Sequence, residues 1–143
     1  MNKNTLKNNM RELNILVAGS GGNSLANLAE ALAEIEALSV SVVESATQVF
    51  AEIGTGRTDV VIVDEEVEGM SGLECIREVV RRNPFINCAL VSQLYPDEFH
   101  KATEGLGVFL LLPWSPGKEE AEKIYSHLVK IYQLVPGQRR QEG

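Results

Sequence analysis

The stretch Val60-Val61-Ile62-Val63-Asp64-Glu65-Glu66-Val67-Glu68-Gly69-Met70-Ser71-Gly72-Leu73-Glu74 changes character twice. Its opening run is β-branched without interruption, as in a strand covered on both faces. The acidic segment and Gly-Met-Ser-Gly that follow are turn material leading into a helix. Outward from this unit the chain alternates short apolar runs with longer amphipathic ones, the pattern of a parallel sheet between two layers of helices. Strands are predicted over 13–18, 38–43, 59–63, 87–91 and 107–111. The first helix carries Leu25, Leu28, Leu32 and Ile35 on one stripe with Glu30 and Glu34 opposite, and Ser24 before it as N-cap. Further helices are predicted over 46–53, 71–82, 96–103 and 116–134. The expectation is a single α/β domain over 13–135, with a polar tail at 1–12 and a second tail at 136–143.

Composition bounds what such a domain does. The 143 residues hold 13 Lys+Arg against 20 Asp+Glu, a formal charge of −7, and 44% are hydrophobic. That length supports a real core without metal or disulfide. The acidic balance argues against nucleic acid, whose binding rests on many Lys and Arg. Cys75 and Cys88 lack metal-ligand spacing and read as small buried apolar residues in a reducing, cytoplasmic setting. His100 and His127 have no partner ligands nearby in sequence and read as surface residues. The run 108–113 is far shorter than the roughly 20 residues a bilayer requires, and the first dozen residues have no apolar run, so neither a membrane nor a secretory leader is expected.

In a parallel sheet of this kind the site lies at the carboxyl ends of the strands. The residues there are Gly19, Ser20, Gly21 and Gly22 after the first strand, Glu44 after the second, Asp64 after the third and Ser92 after the fourth. Leu112, Pro113 and Trp114 follow the fifth. A lone Asp closing a buried strand, then an acidic loop and Gly69-Met70-Ser71-Gly72 before a helix, resembles the phospho-acceptor segment of the response-regulator receiver family. The resemblance extends from about Leu13 to Leu134, with Ser92 and Pro113 at matching places. It implies a doubly wound (βα)5 sandwich of flavodoxin-like strand order 2-1-3-4-5, and a bacterial signalling role in place of an enzymatic one.

The resemblance also implies groups that this chain lacks. A working receiver has two carboxylates after the first strand to hold Mg²⁺, an acceptor Asp after the third, Ser or Thr after the fourth and Lys after the fifth. Here Gly19 and Ser20 stand in the acidic pair's place and Leu112 in that of Lys, while Glu68 replaces the Pro usual four residues after the acceptor. Neither Gly nor Ser supplies the charge that draws a divalent cation, and Leu gives no partner to a phosphoryl oxygen. Mg²⁺ binding is therefore expected to be weak or absent. Asp64 becomes a degenerate phospho-acceptor position that reads first as a structural carboxylate accepting N–H bonds from the glycine loop, and Ser92 reads first as a turn former. Phe109 takes the place of the family's switch aromatic, and the isomer of the Leu112–Pro113 bond stays open.

Three further readings stand beside this one. The segment Gly19-x-Gly21-x-x-Ser24, with Glu44 at the end of the second strand, also resembles a Rossmann turn, so a small nucleotide- or anion-binding domain is the alternative. In a compromise, Gly19, Ser20, Gly21 and Gly22 form an anion nest beside Asp64, or cap its carboxylate. A residual phosphorelay role for Asp64 without the usual metal is a third. On the last helix Ala121, Ile124, Leu128 and Ile131 have core spacing, while Tyr125, Val129 and Tyr132 make a second stripe, expected to be a face for a protein partner or a homodimer. Arg77, Arg81 and Arg82 alternate with Glu74 and Glu78 and read as a solvated, ion-paired face.

Overall fold

A computed structural model describes residues 12–19 and 24–134. Five strands form one parallel sheet: β1 Leu13–Ala18, β2 Leu38–Val43, β3 Val60–Val63, β4 Asn87–Val91 and β5 Val108–Leu112. Their order is β2-β1-β3-β4-β5, the doubly wound arrangement expected. The register runs Leu13 to Leu38 between β1 and β2, Ile15 to Val60 between β1 and β3, and Val60 to Asn87 between β3 and β4. The helices are α1 Ala26–Ala33, α2 Ala46–Ile53, α3 Gly72–Arg82, α4 Pro96–Thr103 and α5 Lys118–Tyr132.

Alternation of side chains along the strands divides the core into two layers. Ile15, Val17, Val60 and Ile62 pack with Leu28 and Leu32 of α1 and Ala121, Ile124 and Leu128 of α5. Leu16, Ala18, Val61 and Val63 face the other way, against Val49 of α2, Ile76 and Val79 of α3 and Phe99 of α4. All four side chains of β3 are wholly buried, which is why its sequence reads as a continuous apolar run. Cys75 and Cys88 are buried free thiols, and burial pushes them up to about 11 and about 12 respectively.

Several boundaries differ from the sequence reading. Asp59 precedes β3 instead of opening it, because its carboxylate accepts the Asn14 amide (2.8 Å). Gly107, at φ +68°, closes the preceding turn, so β5 starts at Val108 and Leu112 becomes its last residue. The last helix starts at Lys118 and ends where Gln133 adopts a left-handed conformation, φ +57°. A two-residue ribbon, Glu66–Val67 against Met70–Ser71, folds the acidic segment after β3 back on itself with Gly69 at φ +108° in its turn. Ser24 does not cap α1: Leu25 holds that position without a side-chain cap bond. The Leu112–Pro113 bond is trans.

Candidate functional site

β3 ends at the centre of the sheet and delivers Asp64 between the ends of β1 and β4. The Asp64 amide continues the β1 ladder by donating to the Ala18 carbonyl (2.9 Å). Its carboxylate is engaged on both oxygens. Oδ1 accepts the Glu65 amide (2.7 Å) and Oδ2 accepts the Ser24 hydroxyl, whose residue lies forty positions earlier. Gly19 stands directly alongside: a Cβ built there would be 3.6 Å from both Cβ and Oδ2 of Asp64. The sequence reading expected glycine-loop amides as the partners of this carboxylate. Residues Ser20, Gly21, Gly22 and Asn23, on which that expectation and the anion nest depend, lie outside the described residues.

Glu65 links the neighbouring loops. Its Oε2 accepts the Gln93 amide (3.1 Å) beyond β4, and its Oε1 accepts the Trp114 indole N–H (3.0 Å) beyond β5. Ser92 makes a local turn: its Oγ accepts the Leu94 amide (3.1 Å) and its own amide donates to the Leu112 carbonyl (3.1 Å). Leu112, in the place of the family's Lys, is fully buried in the core layer under α1 and α5. Phe109 is half-buried against that layer, its ring 5.6 Å from that of His127. Of the predicted positions, then, Asp64 and Gly19 meet directly, Ser92 and Leu112 meet through the backbone, and Phe109 lies on the α5 side.

The two side chains that complete this arrangement, Ser24 on Asp64 and Trp114 on Glu65, were not assigned these roles from sequence. Ser24 resembled a local N-cap, and nothing in the pattern links Glu65 to an indole 49 positions away.

The donor set does not suit Mg²⁺, which takes several oxygen ligands in near-octahedral geometry. The place of the acidic pair holds Gly19 and Ser20, both Asp64 oxygens accept hydrogen bonds, and both Glu65 oxygens are committed to N–H donors. Among the described residues no group of three or more His, Cys, Asp or Glu is arranged to hold a metal ion. Nor is any described helix long and apolar enough to cross a membrane.

On the expected partner face, Tyr125 and Tyr132 are half-buried and pack on the core layer under α5. The Tyr132 hydroxyl accepts from the Asn87 side chain (2.8 Å) and donates to the Asp59 carbonyl (3.4 Å). Val129 is half-buried, and Ile131, expected in the core, is 43% exposed. On α3, Glu78 pairs with both Arg81 and Arg82, while Glu74 serves the helix cap.

A comparison with curated protein sequences gives no match. Among solved structures, a signal receiver domain of an HD domain-containing protein from Pseudomonas fluorescens superposes with a TM-score of 0.70 at 17% identity, covering 86% of this chain and 90% of that one. A chemotaxis response regulator of Vibrio cholerae gives 0.70 at 16% identity, over 82% and 98%. A pilus assembly-related protein from Burkholderia pseudomallei gives 0.65 at 22%, over 86% and 92%. At these identities the likeness is one of fold. Sequence carries the rest, because the model of the response regulator receiver domain matches residues 15–113. With the match running from the third residue of β1 to just past the end of β5 and Asp64 closing the central strand, the chain belongs to the response regulator receiver domain family.

Proposed function

We propose that this is an atypical receiver domain of bacterial two-component-type signalling that works mainly by protein contact, its Mg²⁺-dependent phosphorylation at Asp64 being degenerate. The carrying observation is the Asp64 carboxylate itself, tied to the Ser24 hydroxyl and the Glu65 amide with Gly19 where a metal-binding carboxylate would stand. Phosphoryl transfer to a carboxylate depends on positioning and on neutralising negative charge. Here the adjacent groups are Glu65, Glu66 and Glu68, and the place of the cation is taken by the buried Leu112. The working domain spans 13–135, set in the cytoplasm, with the α5 face around Tyr125, Val129 and Tyr132 as one contact surface for a partner or a second copy.

Incubation with acetyl phosphate, with and without Mg²⁺, followed by intact-mass measurement, tests the reading. No added phosphoryl mass is expected under either condition. Rapid Mg²⁺-dependent labelling that disappears in Asp64→Asn would overturn it and restore a phosphorelay role. For the α5 face, sedimentation of the chain against Tyr125→Glu is the measurement: loss of self-association in the variant is expected if a second copy binds there.

A further inference from the structure

Large apolar side chains are exposed together at one place on the site's rim. Tyr95 is 77% exposed, Trp114 64% and Leu94 38%. Glu65 makes them neighbours, since its two carboxylate oxygens hold the Gln93 amide and the Trp114 indole N–H. The Trp114 polar atom is thereby satisfied within the chain, while most of its surface faces solvent. Such a ring, fixed in place with little left to order, is the kind of group that anchors a protein interface.

The charge of this edge of the sheet is predominantly negative. Among the described residues, the loops following the strands, 24–25, 44–45, 64–71, 92–95 and 113–117, contain Glu44 and Glu68 towards β2, and Asp64, Glu65 and Glu66 nearer the rings, and no Lys, Arg or His. The first turns beyond them add Glu74 of α3, Asp97 and Glu98 of α4 and Glu119 and Glu120 of α5, against one cation, Lys118 of α5. An anionic edge repels nucleic acid, an anionic lipid surface and the same edge of a second copy, and attracts cations. Exposed indole and phenol faces favour cations as well.

We propose that the rim formed by Leu94, Tyr95 and Trp114 docks a cationic protein segment, one in which Lys or Arg alternates with apolar residues. The apolar residues cover the rings while the basic ones meet Glu66, next to Glu65, and Asp97, two residues beyond Tyr95. This rests on the reading of the chain as a contact module, and it places a second contact surface at the carboxyl edge of the sheet, apart from the α5 face.

The probe is a fluorescein-labelled twelve-residue peptide of alternating Lys, Arg and Leu, followed by anisotropy at low and high salt. Trp114, the single tryptophan, is read by its own emission. Saturable one-to-one binding with a shift of that emission is expected. Tyr95→Ser and Trp114→Ala should each weaken it about fivefold, and high salt should weaken it further. Glu66→Gln with Asp97→Asn should weaken it at low salt, while Glu30→Gln with Glu34→Gln on α1 should not. Equal weakening by the two acidic pairs, binding without a change at Trp114, or no saturable binding would overturn the proposal. So would a self-association, seen in sedimentation, that Tyr95→Ser abolishes, because the occupant would then be a second copy. The mass and sedimentation measurements above stand independently, so a silent peptide leaves the contact-module reading to its own tests.

Discussion

Gly72 opens α3 in a position with no space for a side chain. A Cβ there would lie 2.0 Å from the Asp64 carbonyl oxygen and 2.9 Å from Cδ1 of Leu90, while the Gly72 amide donates to the Glu65 carbonyl (2.7 Å). The first turn of the helix thus abuts the end of β3, and the direction in which Asp64 leaves the sheet depends on that contact. Gly72→Ala is expected to destabilise the fold by about 3 kcal/mol, the upper part of the range for overpacking, read as a lower urea midpoint with an unchanged slope. In the sequence this residue was legible as the end of Gly-Met-Ser-Gly and the start of the helix predicted over 71–82, but its need to be glycine was not, since the atoms a side chain would strike belong to β4 and the end of β3. Ser24 shows the same limit from the other side. Its type and place just before an amphipathic run satisfy a local capping rule, yet its hydroxyl goes to Asp64, and local rules do not register a partner forty residues away.

The start and the finish of α3 are both chemically marked. Ser71 Oγ accepts the Glu74 amide (3.1 Å) and Glu74 Oε1 accepts the Ser71 amide (3.3 Å), a reciprocal cap on the helix that carries Ile76 and Val79 into the core. Ser71→Ala should cost about 1 kcal/mol in urea or thermal unfolding. At the other end Glu78 accepts from Arg81 and Arg82, whose hydrogen bonds hold its carboxyl down at about 2. Its folded value lies below the ordinary 4.5, so any stabilisation it gives is complete above that value and is lost as pH falls towards about 2. The pair is solvent-exposed and its contribution is screened by salt. Arg82 also lies over the Phe50 ring, 4.3 Å from its centre, tying α3 to α2. The strands were legible within one residue at either end, because β-branched runs covered on both faces leave a continuous signal. The ribbon between Glu66 and Ser71 was not, since two residues are too few to show an alternation.

At the scale of the whole molecule the two core layers have different chemistry. The layer under α2, α3 and α4 holds both thiols, Cys75 and Cys88, raised to about 11 and about 12 by burial. Their folded values exceed the ordinary 9.0, so the stability linked to them is intact below that pH and declines as pH rises through it towards 11 to 12. Thiol labelling should accordingly be slow in the native chain and fast in urea, and the urea midpoint should fall above about pH 9, with a smaller fall in Cys75→Ala. The strand order was legible through the family resemblance and the βα pattern, each level agreeing with the others. The pocket was legible mainly by subtraction, as missing carboxylates at Gly19 and Ser20 and a missing cation at Leu112. What is built beside it, the bond donated by Ser24 to Asp64 and the two accepted by Glu65, depends on how loops from distant parts of the chain converge.

Asp59 has one more consequence. Its amide donates to the Asn14 carbonyl, its carboxylate accepts the Asn14 amide, and its own carbonyl accepts the Tyr132 hydroxyl. The first strand and the last helix therefore meet at one residue, about 17 Å of strand away from Asp64. A short linker joining these two extremities would close the backbone into a ring, and fresh termini could then be cut at the exposed turn 54–56, giving a circular permutant whose sheet order is unchanged.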